Sequence, residues 1–168
     1  MHDVDERQYT EYVTRRLPTL RRTAYLLCGD EHRADDLVQS TITKLYLHWR
    51  RASAADSVDA YVRAMLVRTF LSEQRLGWAK RVRLTSTPQD TAVAGPDVET
   101  RLVLQHALAR IGPKVRAVLV LRFLLDLPVA EVAAVLRCSE GNVKSQTSVG
   151  LAALRRLLAD HLPEGVRS

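Results

Sequence analysis

The sequence predicts an all-α protein made of two small helical domains joined by a polar linker. Apolar residues recur at steps of three and four along almost the whole chain, which is the spacing of a buried helix face. No alternating run of the kind that a half-buried strand needs persists. Hydrophobic residues make up 46% of the sequence and aromatic residues only 5%. A core built from Leu, Ala and Val suits packed helices better than a β-sandwich.

The first domain is predicted over residues 1–81. Its first helix should end at Gly29-Asp30, a pair that favours a stop and a restart. Pro18 should bend or restart this helix, because proline has no amide hydrogen to donate. A second helix is expected from about His32 to Arg51. Its buried stripe should consist of Leu37, Thr41, Leu45 and His48.

The loop Ala52 to Ser57, rich in Ala and Ser, leads into a third helix expected from Val58 to about Arg81. The apolar residues that this helix should bury are Tyr61, Met65, Leu66, Phe70 and Trp78. Residues 82–97 have no apolar period and hold many turn formers, which predicts a flexible linker.

The second domain is predicted over residues 98–168 as four helical segments. They should span Val98–Ile111, Lys114–Leu125, Val129–Leu136 and Glu140–His161. The whole chain carries a net charge of +6 and has a pI near 9.7, and both domains are basic. A basic chain is attracted to polyanions because each neutralised phosphate releases counterions. A charged fraction of 26% is also ordinary for a solvated surface, so charge alone favours nucleic acid only modestly.

Several other classes of protein are excluded by what the sequence lacks. Cys28 and Cys138 are too few for a disulfide framework, which favours a reducing cytoplasm. The polar N-terminus is unlike a signal peptide, and no apolar run approaches the roughly 20 residues of a membrane span. Cys28 and His32 lack a second ligand pair, so no metal is expected. Without a phosphate-binding glycine loop or a nucleophile motif, neither a cofactor nor an enzyme is expected.

The segment from Pro128 to Ser148 has the parts of a DNA-binding helix-turn-helix. Pro128 can begin a helix without losing a hydrogen bond. The residues expected to face inward are Val129, Val132, Ala133 and Leu136. In the turn Arg137-Cys138-Ser139, the serine is a natural N-cap for the next helix. That helix would present Asn142, Lys144, Ser145, Gln146 and Ser148 to the major groove. The pattern alone fits a polar helical hairpin equally well.

Two stretches resemble a known family. Residues 107–123, ALARIGPKVRAVLVLRF, together with the helix-turn-helix and Leu151 to Arg156, resemble the promoter-reading domain of extracytoplasmic-function sigma factors of bacterial RNA polymerase. Residues 24–39, AYLLCGDEHRADDLVQ, are similar to the polymerase-binding signature of that family. The likeness covers nearly the whole chain. It implies a sigma-two-like helical bundle and a sigma-four-like helix-turn-helix that bind core polymerase and promoter DNA without catalysis.

The resemblance implies that the second helix docks on the clamp coiled coil of the largest polymerase subunit, and that the C-terminal domain meets the flap region. The implied polymerase-binding residues are Asp36, Leu37, Gln39, Ser40 and Thr43. Leu37 is equally compatible with a core position. Asp35 and Asp36 are also compatible with simple compensation of the helix dipole. Ser40 stands where relatives often carry an acidic residue.

The resemblance assigns the loop Ala52 to Ser57 and the helix after it to capture of unstacked bases of the minus-ten element. The implied DNA-binding residues of this helix are Arg63, Arg68, Thr69, Ser72 and Arg75. Tyr61 and Phe70 fit the core better than a base contact. Glu73 and Gln74 replace the denser basic run of related sequences.

In the second domain the resemblance implies readout of the minus-thirty-five element. The implied contacts are Arg122, expected on a phosphate, and Ser139, Asn142, Lys144, Ser145, Gln146 and Ser148. Arg137 stands where Gly is common, and a non-Gly residue at positive φ costs about 1 kcal/mol. Val149 stands where many relatives have Arg, which removes a phosphate contact and should weaken binding to all DNA sequences alike.

Three functions fit these features. A promoter-specificity factor would support promoter-dependent transcription when mixed with core polymerase. An autonomous helix-turn-helix regulator, whose N-terminal half dimerises or senses a ligand, would bind a two-fold symmetric duplex site by itself. A protein-interaction module would tolerate charge reversal at Lys144 and Arg122. A cognate anti-sigma factor is a common partner in the family, and no residue of this chain identifies one.

Overall fold

The computed structural model describes residues 2–81 and 96–161, and all regular structure within these ranges is helical. The predicted all-α class is confirmed. The chain divides into two compact units, Met1–Ser72 and Glu73–Ser168. Most of the predicted linker, residues 82–95, lies outside the described residues, and the predicted domain limits stay predictions.

Helix α1 (Asp3–Cys28) runs without interruption through Pro18, so the expected bend or restart is wrong. Buried residues on both sides of the proline, among them Tyr12, Leu20 and Leu27, hold the helix against the rest of the unit. Packing of this face compensates for the single hydrogen bond that proline removes. The predicted stop is confirmed at Gly29, which has a φ of 70° and donates its N–H to the Tyr25 carbonyl.

Helix α2 (Glu31–Leu47) begins at Asp30, whose side chain accepts a hydrogen bond from the backbone N–H of His32. The predicted single helix to Arg51 is broken at His48, and a short helix α3 (Trp49–Ser53) follows. His48 is exposed rather than part of the buried stripe, whereas Leu37, Thr41 and Leu45 are fully buried. The break turns Trp49 inward, where its ring centroid lies 5.7 Å from those of both Tyr9 and Tyr12.

Helix α4 spans Val58–Arg81, as predicted. The predicted core residues Leu66 and Phe70 are buried, and so are Val62 and Val67. Tyr61 and Met65 are only half-buried. The side chain of Trp78 lies outside the described residues. The first turn is capped by Ser57, whose hydroxyl accepts a hydrogen bond from the N–H of Ala60.

The second unit contains helices α5 (Pro96–Ala109), α6 (Pro113–Leu119), α7 (Val129–Leu136) and α8 (Glu140–Leu158). Helix α5 begins two residues before the predicted start, because proline is well suited to the first position of a helix. Helix α6 passes into one turn of π-helix, Val120–Leu124, within the predicted Lys114–Leu125 segment. A final 3₁₀ turn, Ala159–His161, ends the described residues.

The core of this unit gathers Leu108, Ile111 and Leu119 around the crossing of α5, α6 and α8. Arg116 is buried beside them and donates to the carbonyls of Ala109 (3.2 Å) and Ile111 (2.7 Å). Carbonyls at the end of a helix have no partner inside it, so the guanidinium satisfies the end of α5. The apolar periodicity did not predict this buried cation.

Some features are absent from the described part of the chain. Cys28 and Cys138 are both free thiols. Among residues 2–81 and 96–161, no three His, Cys, Asp or Glu side chains lie close enough to hold a metal ion. None of the helices described is both long and apolar enough to cross a membrane.

Replacing Gly150 with alanine is expected to destabilise the second unit. A Cβ at this position would lie 2.8–2.9 Å from three side-chain carbons of Leu119, which is itself buried. Overpacking of this kind costs about 1–3 kcal/mol, more than the roughly 1 kcal/mol that alanine gains as a helix former. Urea denaturation should therefore give a lower free energy of unfolding for Gly150→Ala than for the wild-type protein. The control Gly141→Ala, where the nearest atom is 3.9 Å away, should be neutral or stabilising; equal effects of the two substitutions would contradict this account of the crossing.

Candidate nucleic-acid interface

Helices α7 and α8 form a compact helix-turn-helix in the second unit. Val132 and Val143 are fully buried and Ala133 nearly so, which closes the two helices on each other. Val135 is buried where Val129 and Leu136 are only half-buried, so the inward face of α7 is rotated slightly from the predicted one. The packed side of both helices leaves the first turns of α8 facing outward.

The turn between these helices has the predicted special conformation. Arg137 is left-handed, with φ 53° and ψ 48°, and the N–H of Cys138 donates to the Ala133 carbonyl over 3.1 Å. Ser139 then caps α8, because its hydroxyl accepts a hydrogen bond from the N–H of Asn142 over 3.0 Å. The turn therefore fixes where α8 starts and which residues come first.

The front of α8 is polar. Lys144, Ser145 and Ser148 are exposed, whereas Asn142 and Gln146 are half-buried. The Gln146 amide Nε2 donates to Asn142 Oδ1 over 3.3 Å, and Gln146 Oε1 has no hydrogen-bond partner among the described residues. Val149 follows and is 60% exposed. The surface thus offers one cation, two hydroxyls and a paired set of amides.

Arg122 makes a hydrogen bond within its own unit. Its Nη1 donates to the Leu127 carbonyl over 2.7 Å, and its guanidinium carbon lies 5.7 Å from the centre of the Phe123 ring. Its Nε is buried without a partner among the described residues. The side chain therefore braces the loop that leads into α7, and its expected contact with a phosphate stays a prediction.

In the first unit, α2 presents a polar face. Asp36, Gln39 and Thr43 are exposed, and the Thr43 hydroxyl donates to the Gln39 carbonyl over 2.8 Å. Ser40 is half-buried. Leu37 has no exposed surface, so its expected contact with a partner is wrong and it belongs to the core.

The polar residues of α4 do not form a single stripe. Arg68, Ser72 and Arg75 lie within about 60° of one another around the helix axis, while Arg63 lies about 140° from Arg68, at 100° per residue. Thr69 is 3% exposed and its hydroxyl accepts a hydrogen bond from Lys44 Nζ, so its predicted DNA contact is wrong. Ala52 is buried in α3, which shortens the predicted base-reading loop to Ala54–Ser57.

Arg63 faces a polar network between α1 and α4 that sequence reasoning missed. Tyr12 donates its hydroxyl to Asp59 Oδ1 over 2.8 Å, and Arg16 Nη2 donates to Asp59 Oδ2. Burial, together with the hydrogen bond to Asp59, raises the pKa of Tyr12 far above its ordinary value. The partners are separated by 43 and 47 residues, a distance at which periodicity carries no signal.

Comparisons with known proteins agree with both halves of this architecture. The family description "Sigma-70 region 2" matches residues 12–80, and "Sigma-70, region 4" matches residues 101–154. The RNA polymerase sigma-E factor of Streptomyces coelicolor is 32% identical over 157 residues, which cover 90% of this chain and 86% of that protein. The chain belongs to the RNA polymerase sigma factors.

Two further proteins are similar to this chain over most of its length, and one of them is named an extracytoplasmic-function (ECF) sigma factor. The ECF RNA polymerase sigma factor SigE of Mycolicibacterium smegmatis is 28% identical over 95% of this chain and 65% of its own length. The sigma factor RpoE of Bartonella quintana, solved in complex with the anti-sigma factor NepR, gives a TM-score of 0.69. It is 21% identical over 90% of this chain and 97% of that one, so it supports the fold alone.

This sigma factor therefore directs promoter-specific initiation by binding core polymerase and promoter DNA. The alternative of an autonomous helix-turn-helix regulator is disfavoured, because the chain carries both sigma regions in order. The assignment of single residues to polymerase or to promoter elements stays a prediction.

Replacing Arg137 with glycine is expected to stabilise the second unit. The left-handed conformation costs a non-Gly residue on the order of 1 kcal/mol, and glycine removes most of that cost. Thermal unfolding should show that the free energy of unfolding rises by about 0.5–1 kcal/mol in Arg137→Gly. Arg137→Ala keeps the strained backbone and serves as the control. Equal gains for both variants would mean that loss of the side chain, not relief of the backbone, is responsible.

Proposed function

We propose that this sigma factor holds core polymerase with the polar face of α2 and reads the minus-thirty-five element with the front of α8. The observation that carries the proposal is the outward polar front of α8, which starts at a capped and conformationally fixed turn. The polymerase-binding face of α2 lies in the other unit, so polymerase and the minus-thirty-five element bind to separate domains.

Exposure and side-chain chemistry support the role of α8. Lys144 supplies a cation for a phosphate, and Ser145 and Ser148 supply hydroxyls that donate or accept. Asn142 and Gln146 carry amides, the groups that pair with both the N6 and N7 atoms of adenine. Val149 adds no charge to this front, so its affinity for DNA depends on few cations.

Three accessible groups support the role of α2. Asp36 and Gln39 lie within one turn of each other on the exposed side, and Thr43 continues the same face. Neither Asp36 nor Gln39 has a side-chain hydrogen bond to another described residue, so both are available to a partner. Ser40, half-buried, contributes at the edge.

We assign the minus-ten element to the loop Ala54–Ser57 and to the Arg68, Ser72 and Arg75 face of α4. Ala54, Asp56 and Ser57 are exposed on the loop, and Arg75 is exposed on the helix. Small loop residues leave room for an unstacked base, while cations along a helix follow the strand backbone.

The polymerase contact is tested by Asp36→Ala and Gln39→Ala. Loss of either side chain should weaken binding to core polymerase about tenfold, the size of one good interface contact. Fluorescence titration of labelled chain with core polymerase measures this. The control is Asp35→Ala, which removes the same charge from the same helix; Asp35 lies 3.6 Å from Arg21. Should Asp35→Ala weaken binding as much as Asp36→Ala, the loss would report helix charge and not a contact.

The promoter contact is tested in the holoenzyme with Asn142→Ala and Lys144→Ala. Asn142→Ala should make the free energy of binding to the preferred upstream element less favourable by about 1–3 kcal/mol and reduce the base preference at one base pair. Lys144→Ala should weaken binding to all DNA sequences alike. It should also lower the salt slope, which is the dependence of log affinity on log salt concentration, by about one. Arg155→Ala, an exposed cation near the end of α8, is the charge-matched control. Transcription from promoters with single upstream changes measures both effects, and unchanged base preference in Asn142→Ala would remove this residue from the readout.

A further inference from the structure

A small cleft opens between α1 and α4, on the side of α4 that bears Arg63 rather than Arg68. Its polar wall consists of Tyr12, Arg16, Thr19, Thr23, Asp59 and Arg63. Its volume is about 80 Å³ and it is open to solvent on one side, so a small polar group can enter it.

The carboxylate of this cleft is already used. Both carboxylate oxygens of Asp59 accept, one from Tyr12 and the other from Arg16. Tyrosine is protonated at neutral pH, and burial raises the pKa of Tyr12 further, so its hydroxyl continues to donate. Thr23 donates its hydroxyl to the Thr19 carbonyl within α1.

The donors are not fully used. Arg63 lines the cleft, is half-buried, and makes no hydrogen bond or ion pair with another described residue. Arg16 uses Nη2 for Asp59, but its side chain is still 39% exposed. A half-buried site with two guanidinium groups and an occupied carboxylate favours an anionic acceptor, and phosphate oxygens are such acceptors.

We propose that this cleft binds one backbone phosphate of the melted promoter strand, with Arg63 and Arg16 as the donors. Asp59 and Tyr12 are positioning residues, which hold the Arg16 guanidinium at the wall of the cleft. The inference rests on the proposed minus-ten role of the first unit. Arg16 lies on α1, outside every stretch that the sequence assigned to DNA.

The position of the cleft along the chain favours a DNA strand over a free anion. Asp59 is two residues beyond Ser57, where the base-reading loop ends. A strand whose base enters the loop Ala54–Ser57 therefore has backbone close to the start of α4. The cations of the cleft, two against one carboxylate, attract that backbone.

The test uses holoenzyme and a single-stranded oligonucleotide of the non-template minus-ten region. Arg63→Ala and Arg16→Ala should each weaken binding by about tenfold, as expected for a charge-assisted hydrogen bond. Each should also lower the salt slope by about 0.7, the value for one phosphate of a single strand. Arg15→Ala removes the same charge from an exposed neighbouring site on α1 and should change affinity less than twofold. Equal losses in all three variants would overturn the proposal in favour of general charge.

A chemical cycle identifies the phosphate itself. A series of oligonucleotides is used, each with one neutral methylphosphonate in place of one phosphate. At one position the replacement should lower the affinity of the wild-type protein but not that of Arg63→Ala, whose contact with that phosphate is already lost. If no position couples to Arg63, the cleft does not hold a backbone phosphate. Inorganic phosphate at matched ionic strength provides the second arm. The contrary result is that inorganic phosphate displaces the oligonucleotide from the wild-type protein but not from Arg63→Ala. If this happens and no methylphosphonate position couples to Arg63, the cleft binds a free anion and the proposal is overturned.

Two further measurements separate this inference from the wider function. Tyr12→Phe removes one hydrogen bond from Asp59, so it should weaken binding of the oligonucleotide while leaving the salt slope unchanged. A lowered slope in Tyr12→Phe would contradict a positioning role. Core-polymerase binding is measured for every variant. If wild-type holoenzyme itself fails to bind the oligonucleotide, the minus-ten role fails, whereas normal binding by Arg16→Ala and Arg63→Ala overturns the cleft alone.

Discussion

Leu119 of α6 lies directly over Gly150 of α8, and no side chain larger than a hydrogen atom fits between the two helices there. This close approach fixes the height of α8 above the core of its unit. Val143, fully buried one turn after the start of the helix, fixes its rotation. The Ser139 cap fixes where the helix begins. Because all three constraints lie behind or before the polar front, that front can carry almost any set of side chains without loss of its position.

Arginine performs two different tasks in this chain, and the state of its donors separates them. Arg116 and Arg122 donate to backbone carbonyls beside helix ends, where an unsatisfied acceptor would be costly. Arg75 is exposed and Arg63 faces a cleft whose carboxylate is occupied. Five N–H groups in a fixed fork allow one side chain to brace the fold and still keep donors for a ligand. Arg16, bound to Asp59 through one nitrogen, stands between these two cases.

Local signals in the sequence predicted local structure well. The bounds of α4 and α7, the stop at Gly29, the cap at Ser139 and the strained Arg137 all follow from residues within one or two turns. Periodicity placed Leu37 in the core correctly, and only the family resemblance gave it a partner. Thr69 is polar, so an apolar pattern did not predict its burial. Periodicity also placed His48 inside, where the chain breaks the helix to bury Trp49. The Asp59 network joins residues more than 40 positions apart, and such a pair leaves no trace in one sequence.

In the proposed readout of DNA by α8, the internal pairing of Asn142 with Gln146 limits the free energy that these amides gain from a base. These amides must exchange one hydrogen bond for another when they meet a base, so the net free energy of each contact is small while the penalty for a wrong base remains. Lys144 is the cation on the polar front, and Val149 extends that front without charge. A helix of this kind contributes more to selectivity between DNA sequences than to affinity for DNA. In the proposed arrangement, with the other unit bound to polymerase, the effective concentration of α8 at the promoter rises without any new contact, and weak but selective readout becomes sufficient.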